Sequence, residues 1–287
     1  MRNRAPKYLL GATFGAVAAT LLLGANAYAD SGEDALAAVE TLGKSTSLLW
    51  VVIGAVLVIF MQAGFALVET GFTQKKNAAE VMSMNFAIFG LGFVGFLFVG
   101  FPLAFAGYSY GPMGLDKAMN GDGLPAIGGD FTGIFYWAYN HLGDAATPAL
   151  LGFFLYMVAF MDTVATIPTG SMAERWKWKS FVWWGLFCGA LYYPLFAAWT
   201  WGGGWLAKSW ETMHLGAGYV DFAGSGVVHA VGGVAALAGA IVVGPRIGKY
   251  DENGKARGIP GHNIPMAILG CFILLFGWFG FNAASTL

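Results

Sequence analysis

Six apolar windows, each long enough to cross a lipid bilayer, constrain the fold of this chain more than any other feature of its sequence. The windows lie near residues 48–70, 81–108, 148–172, 180–201, 222–244 and 264–286. A hydrocarbon core about 30 Å thick requires roughly 20 apolar residues in helical conformation. Only 11% of the residues are charged, against roughly 25% in a soluble domain, which is too few to coat a water-soluble surface. The sequence therefore predicts an all-α polytopic membrane protein with six transmembrane helices.

The N-terminal residues 1–29 have the three-part pattern of a cleavable signal peptide. A basic start precedes an apolar stretch near residues 9–23, and a small-residue cleavage site ends at Ala29. We expect a mature chain with an outer segment at residues 30–47 and a transmembrane domain at residues 48–287. The alternative is an uncleaved membrane anchor, although its apolar stretch is shorter than the roughly 20 residues that a span needs.

Basic residues are distributed unequally between the alternate connections. With the mature N-terminus outside, the connections at 71–80, 173–179 and 245–263 face inward and hold nine lysines and arginines, whereas the outer segments hold three. Because inner loops carry the excess of positive charge, the counts predict a multi-pass protein of the cell (inner) membrane with this orientation. The longest outer connection, residues 109–147, is predicted to be a surface loop with a short amphipathic element near residues 131–139.

Several classes of protein are excluded by charge and cysteine content. The net charge is -1, and no basic tract is longer than two residues, so a nucleic-acid partner is not expected. Cys188 and Cys271 lie in long apolar runs without the spacing of a zinc site or a disulfide framework. We therefore expect no metal and no cofactor. The 43 glycines follow no three-residue period, and close helix packing is their expected use.

Polar side chains inside the apolar windows are costly in lipid and are candidates for function. These residues are Gln62, Glu69, Asp162, His229 and Asn282. Gln62 is interpreted as a hydrogen-bonding residue between helices. Glu69 lies near the inner end of its window, where we expect it to reach the interface or to pair with Lys75 and Lys76.

Asp162 lies well inside the third window. Helical spacing places Thr166 and Thr169 on the same face, at i+4 and i+7. Two interpretations remain open from the residues alone. One is a polar seam against a neighbouring helix, and the other is a direct role of Asp162 in conduction.

The segment 221–229, DFAGSGVVH, carries the strongest functional pattern. Asp221 precedes an apolar run, so its carboxylate can cap the helix N-terminus and attract cations to the outer mouth. His229 follows eight residues later, about 12 Å deeper in a continuous helix. A neutral imidazole can both donate and accept a hydrogen bond along a narrow pore, and it titrates near neutral pH. The segment favours a transport path for a small cation or its neutral base.

Five motifs in order resemble the signature of the ammonium transporter family, which includes the Rh proteins. They are Phe160 in the third window, AER at 173–175, WGGG at 201–204, DFAGSGVVH at 221–229 with GPR at 244–246, and GWFGFNAAS at 277–285. The similarity runs from about Leu48 to the C-terminus. It implies a channel-like transporter of ammonium and methylammonium, not an enzyme, that acts as a homotrimer and can meet a PII-type signalling protein.

The resemblance also implies a role for individual side chains. Trp201 and Ser285, with Phe160, correspond to an outer vestibule that recruits ammonium. Phe160 and Phe281 correspond to the stacked rings that gate the vestibule, and His229 corresponds to the first of two pore histidines. An indole face attracts a small cation, and a serine hydroxyl replaces a hydrogen bond that ammonium loses on leaving water.

The chain departs from the family pattern in length. Family members have eleven spans, built as two inverted five-helix repeats plus one helix, whereas this chain resembles the first repeat plus one helix. The second pore histidine is absent, and His262 lies in a basic loop where it cannot replace it. We therefore expect the chain to be a fragment of a longer product.

Two further functions remain as alternatives. An ammonium sensor would use the same fold to signal through a C-terminal domain after the last span. A membrane enzyme would use His229 with Asp221 or Asp162, although no nucleophile, metal-ligand or phosphate-loop pattern accompanies them.

Overall fold

The computed structural model of the protein describes residues 32–105, 108, 110–115 and 147–286. The signal peptide predicted at 1–29 and the amphipathic element predicted near 131–139 lie outside these residues. The described part of the chain is helical and holds no strand, only two isolated bridges between Tyr110 and Leu115 and between Tyr250 and Ala256. The predicted all-α class is confirmed.

Six helices in the described ranges are long and apolar enough to cross a membrane, as the sequence predicts. They are α1 (Gly32–Phe72), α2 (Lys75–Phe105), α3 (Pro148–Ser171), α4 (Trp178–Trp199), α5 (Ser225–Val243) and α6 (Ile264–Thr286). Four of them contain a π-helical stretch, at Phe96–Gly100, Cys188–Tyr192, Ser225–Ala230 and Phe279–Ala283. Short helical turns occupy Lys75–Asn77, Gly111–Met113, Ser209–Thr212 and Ala284–Thr286. π-Helical stretches are rare and frequently mark functional sites.

The chain divides into two compact units, residues 1–46 and residues 47–287. In the first unit, the described residues 32–46 are helical, and Lys44 forms an ion pair with Glu40 one turn away at 2.7 Å. The contacts that join the spans to one another belong to the second unit.

Local signals explain where two of the spans begin. The hydroxyl of Thr147 accepts a hydrogen bond from the Leu150 N–H at 3.1 Å and caps α3, whose first residue is Pro148. The Asn263 side chain accepts from the Met266 N–H at 3.0 Å and caps α6. Both caps satisfy donors that the first helical turn leaves free, which explains why the predicted starts at 148 and 264 agree with the structure.

Glycines allow α1 and α6 to pack backbone against backbone. A Cβ added to Gly270 would lie 2.6 Å from the Gly64 carbonyl oxygen, and one added to Gly280 would lie 2.7 Å from the Gly54 carbonyl oxygen. Both distances are too short for any side chain, so glycine is required at these crossings. The most buried span is α3, at 83%, whereas α5 and α6 are 28% buried, which places α3 at the centre of the bundle.

The expected environment of Glu69 is wrong. Its side chain is buried, and its carboxylate accepts hydrogen bonds from Asn85 Nδ2 and Thr169 Oγ1, both at 2.5 Å. Among the described residues, neither Lys75 nor Lys76 forms an ion pair with it. The side chain of Glu69 lies on the face of α1 that packs against α2 and α3, so neutral donors replace the expected lysines.

The polar seam expected on α3 is present without Asp162. Thr166 donates to Gln62 Oε1 at 3.0 Å, and Thr169 donates to Glu69, so these two threonines join α3 to α1. Asp162 is also buried, at 2% exposure, but its Oδ1 has no hydrogen-bond partner in the described part of the chain. Asp162 is therefore separate from the seam that its helical spacing predicts.

Candidate functional site

Asp221 caps the N-terminus of α5. Its Oδ1 accepts hydrogen bonds from the N–H groups of Gly224 and Ser225 at 2.7 and 2.9 Å, and its Oδ2 accepts from those of Gly226 and Val227 at 2.8 and 2.7 Å. Four backbone donors thus converge on one carboxylate, where the positive end of the helix dipole also stabilises negative charge.

The depth expected for His229 changes because α5 begins later than the sequence suggests. Gly224 has a φ of +95°, which a residue with a side chain rarely adopts, and the helix starts only at Ser225. His229 is therefore the fifth residue of α5, about 6 Å from its start instead of about 12 Å below Asp221.

Aromatic rings from two spans and one connection meet in front of α5. The Phe160 and Phe281 ring centroids are 4.2 Å apart with 43° between the planes, and Phe160 meets Trp201 edge to face at 5.6 Å. The Trp201 Nε1–H donates to the Asp221 carbonyl oxygen at 2.6 Å, which fixes the indole orientation. The tertiary structure thus brings together residues that lie 121 positions apart in sequence, from 160 to 281.

His229 lies on the far side of Phe281. Its ring centroid is 5.2 Å from that of Phe281 and 5.3 Å from that of Trp278, with which it stacks at an interplanar angle of 15°. Trp201, Phe160, Phe281 and His229 therefore form a continuous series of ring contacts. Aromatic contacts at these separations orient the rings as well as bury them.

Ser285 lies beside this aromatic series and is held by Tyr156. The Ser285 hydroxyl donates to the Phe281 carbonyl oxygen at 2.7 Å and lies 3.0 Å from the Tyr156 hydroxyl. With its own hydrogen directed at Phe281, the Ser285 hydroxyl has two lone pairs, and the single Tyr156 hydrogen can occupy no more than one of them. Sequence reasoning missed Tyr156, although it lies one helical turn before Phe160.

A cavity of about 400 Å³ joins these groups. Its lining includes Tyr108, Tyr156, Phe160, Trp201, Asp221 and Ser285. Tyr108 stacks on Phe153 with 4.7 Å between centroids and 6° between planes. Burial, with a smaller effect of Tyr110, raises the pKa of Tyr108 to about 12, so its hydroxyl stays neutral at physiological pH. The cavity offers ring faces and hydroxyl oxygens to a small cation.

The opposite end of the bundle, called the basic end here, is where the predicted basic connections meet. Glu174 accepts hydrogen bonds from the Gln74 N–H at 2.9 Å, from Asn77 at 2.8 Å and from Arg246 at 2.7 Å. Arg175 donates to the carbonyl oxygens of Ser171 and Gly244. Glu174 thus links three connections that are distant in sequence.

The described residues contain no group of three or more His, Cys, Asp or Glu side chains that could hold a metal ion. The groups that line the cavity include ring faces, hydroxyl oxygens and the Asp221 side chain. A small cation with hydrogen-bond donors fits this chemistry, because it can use both the aromatic faces and the Ser285 lone pair.

Comparisons with known proteins agree with the geometry. Residues 49–287 match the Ammonium Transporter Family. The chain is 43% identical over 278 residues to ammonium transporter Amt2 of Archaeoglobus fulgidus, covering 95% of this chain and 54% of that protein. It is 36% identical over 242 residues to ammonium transporter 1 member 3 of Solanum lycopersicum, covering 84% of this chain and 48% of that one.

Two solved structures have a similar fold. A protein described as a sensor Amt protein superposes with a TM-score of 0.70 at 37% identity, over 86% of this chain and 56% of its own. Mep2 of Candida albicans superposes with a TM-score of 0.59 at 27% identity, over 84% of this chain and 48% of its own. The chain thus spans about half the length of the relatives it matches.

Proposed function

The chain belongs to the ammonium transporter family, whose members are transporters or channels and not enzymes, and from this premise we propose that it takes part in ammonium transport across a membrane. The observation that supports this function is the convergence of Trp201, Phe160 and Ser285 around one cavity. Behind the cavity, Phe281 contacts both Phe160 and His229.

Recruitment is assigned to Trp201, Phe160 and Ser285. The indole and phenyl faces attract the positive charge of ammonium, while the free lone pair of Ser285 accepts one of its N–H bonds. The charge of Asp221 adds attraction at the same entrance. Potassium has no hydrogen to donate, so the Ser285 contact favours ammonium over potassium.

Gating and passage are assigned to the rings behind the cavity. Phe160 and Phe281 are in contact and close the direct route, so their rings have to move before a substrate reaches His229. A buried, apolar passage disfavours a charged species, and ammonium is therefore expected to lose a proton near the gate and to pass as ammonia. His229 then offers a hydrogen-bonding partner in the passage, with the released proton handled separately or left behind.

Orientation and assembly follow from charge and family membership. We assign the basic end to the cytoplasmic side of the cell (inner) membrane, because the lysines and arginines of the connections concentrate there. The cavity then opens outside. The homotrimer and a PII-type signalling partner at the basic end are expected from the family.

Ammonium sensing is the second candidate function. It is favoured by the superposition on a sensor Amt protein, at 37% identity. The two functions differ in the polypeptide beyond the last span, because a sensor of this type carries a signalling domain there. Sequencing the gene beyond codon 287 distinguishes them.

Uptake of methylammonium tests the transport function directly. The full-length gene product that contains residues 1–287 is expressed in cells that lack ammonium transport, with His229→Ala and the exposed His214→Ala as matched variants. We expect uptake by the wild type and by His214→Ala, and its loss in His229→Ala. A wild-type product that reaches the membrane but takes up no methylammonium would show that the proposed function is wrong.

A further inference from the structure

A polar cluster lies between α1, α2 and α3, away from the aromatic cavity. It consists of Gln62, Glu69, Asn85, Thr166 and Thr169 and is called the three-helix cluster here. Gln62 Nε2 donates to the Asn85 carbonyl oxygen at 2.5 Å, and Gln62 Oε1 accepts from Thr166 at 3.0 Å. Glu69 accepts from Asn85 and Thr169. The residues that line the cavity do not include any member of the cluster.

The cluster lies toward the basic end, beyond His229. Glu69 is three residues, about one turn, from the end of α1 at Phe72. Ser171, two residues after Thr169, donates to the Ala236 carbonyl oxygen, and Ala236 is seven residues, about 10 Å, further along α5 than His229. Glu69 is therefore buried near the exit of the proposed path, a short distance from water at the basic end.

Hydrogen-bond counting at Thr169 shows how Glu69 can hold a proton. Thr169 Oγ1 lies 2.5 Å from Glu69 Oε1 and 2.5 Å from the Thr166 carbonyl oxygen. A hydroxyl has one hydrogen, so it cannot donate fully to both acceptors. Both short contacts become hydrogen bonds when Glu69 is protonated and donates to Thr169, which donates to Thr166. When Glu69 is ionised, Thr169 donates to the carboxylate instead.

Asn85 donates a hydrogen bond to the second Glu69 oxygen in either protonation state. Its side chain is fully buried, and its Oδ1 has no hydrogen-bond partner in the described part of the chain. The Asn85 Nδ2 donates to Glu69 Oε2 at 2.5 Å and to the Val81 carbonyl oxygen at 3.1 Å, which fixes the orientation of the amide. When the Glu69 proton is on Oε1 and is donated to Thr169, Oε2 is the carbonyl oxygen of the acid and still accepts from Asn85. The site thus satisfies both protonation states of Glu69.

The groups that face Glu69 are neutral. α2 presents Asn85, and α3 presents Thr169 and the backbone of Gly170, whose α-carbon leaves room for the carboxylate. Within the described ranges no lysine, arginine or histidine forms an ion pair with Glu69. An ionisable group inside a membrane protein without a countercharge is costly and usually functional.

From this geometry we propose that Glu69 is a proton-binding residue of the transport path, which takes up the proton that ammonium releases and delivers it to water at the basic end. In this step one N–H bond of ammonium breaks, its electron pair stays on nitrogen, and the proton forms an O–H bond on the Glu69 carboxylate. Loss of that proton to water at the basic end restores the carboxylate. Because this role rests on the proposed function, substrate uptake and charge movement have to be measured separately.

The test uses the full-length gene product reconstituted in proteoliposomes. Ammonium-elicited current on a solid-supported membrane is compared with uptake of labelled methylammonium, which gives the charge moved per substrate. The variant is Glu69→Gln, which keeps size but cannot take up the proton. The matched control is Glu80→Gln, which removes an exposed carboxylate near the same end of the bundle.

For Glu69→Gln we expect the charge moved per substrate to fall by about a hundredfold, the lower end of the range for loss of a positioned proton-transfer group, while Glu80→Gln equals the wild type. If uptake and current fall together in Glu69→Gln, the residue has a structural role and the assignment is overturned. An unchanged charge-to-substrate ratio in this variant would also overturn it, and so would a wild type that moves substrate without charge. A wild type without any uptake would contradict the proposed transport function itself, and not only the role of Glu69.

A second variant tests the proposal if the Glu69→Gln protein does not fold. Thr169→Val keeps the carboxyl group and removes the hydroxyl that serves both arrangements of the proton. We expect the pH dependence of the charge-to-substrate ratio to shift relative to the wild type. A Thr169→Val protein with the wild-type pH profile would contradict the proposal.

Discussion

The indole N–H of Trp201 donates a hydrogen bond to the backbone carbonyl oxygen of Asp221 across 2.6 Å. Asp221 in turn caps α5, the helix that carries His229. The recruiting indole is therefore attached to the same turn of chain that sets the position of the pore histidine. Substitutions of Trp201 and of Asp221 thus act on one connected piece of structure.

Two substitutions of Trp201 distinguish the contribution of its ring face from that of its hydrogen bond. Trp201→Phe keeps an aromatic face and loses the donor, whereas Trp201→Leu loses both. We expect the apparent KM for methylammonium to rise by about tenfold in Trp201→Leu and less in Trp201→Phe, as a cation–π contact implies. Trp210→Leu, which changes an exposed tryptophan of the same connection, serves as the control. Equal KM values for Trp201→Leu and wild type would exclude the indole from recruitment.

Asp221→Asn tests the cap of α5. The amide has one acceptor oxygen, so donors from the set Gly224, Ser225, Gly226 and Val227 lose a partner. We expect a loss of about 2 kcal/mol of stability, seen as a melting temperature lower by roughly 4–8 °C. Asp251→Asn, in a loop turn with two backbone hydrogen bonds, is the control. A melting temperature unchanged in Asp221→Asn would rule out a structural role for the cap.

Stability at acid pH should depend on Glu174. Burial raises the pKa of this carboxyl, but hydrogen bonds from Gln74, Asn77 and Arg246 and the charge of Arg246 outweigh it and hold the pKa below its usual value of 4.5. A carboxyl whose pKa is lower in the folded state stabilises the fold at pH values above its unfolded-state pKa. This stabilisation is lost as the pH falls through the folded-state pKa. We expect Glu174→Gln to melt below wild type at pH 7 and the difference to shrink below pH 4.5. A constant difference from about pH 7 to about pH 3 would contradict this assignment.

Asp162 carries a buried oxygen without a hydrogen-bond partner in the described structure. Replacing a buried, unpaired carboxylate with a neutral residue of similar size removes a desolvation cost. We therefore expect Asp162→Asn to raise the melting temperature by about 2–4 °C, which corresponds to about 1 kcal/mol. A decrease of the same size would instead indicate that the carboxylate makes stabilising interactions.

Gly270 tests the close contact between α1 and α6. An alanine Cβ there would lie 2.6 Å from the Gly64 carbonyl oxygen and 2.7 Å from the Val68 nitrogen. We expect Gly270→Ala to lower stability by about 1–3 kcal/mol, because backbone atoms cannot yield without separating the helices. Gly90→Ala is the control, since its Cβ would meet nothing within 4 Å. The two variants are compared by their melting temperatures in detergent. Equal melting temperatures would contradict the close backbone contact between α1 and α6 at Gly270.

The number and the approximate limits of the spans could be predicted because they depend on local properties. Hydropathy marks the windows, and capping residues such as Thr147 and Asn263 mark helix starts. The start of α5 was missed because Gly224 adopts a left-handed conformation, and the Asp221 carboxylate folds back on the N–H groups beyond it. Hydropathy does not detect a single backbone angle.

Burial and contacts between distant residues required the tertiary structure. Proximity to Lys75 and Lys76 in sequence suggested an ion pair for Glu69, but helix rotation turns its side chain toward Asn85 and Thr169 instead. Tyr156 reaches Ser285 across 129 positions, a contact that no local pattern encodes. Sequence spacing gives the face of a helix, whereas the partner of that face depends on how the helices pack.

For this protein, the sequence alone determined the membrane-spanning helical class, six spans and, through motifs, the residues expected around an ammonium path. The tertiary structure alone decided which of them meet, how deep His229 lies in α5, and that Glu69 is held among neutral groups. The physical reason is that hydropathy and capping act within a few residues, whereas helix packing and buried hydrogen bonds join residues about a hundred positions apart, as between Glu69 and Thr169.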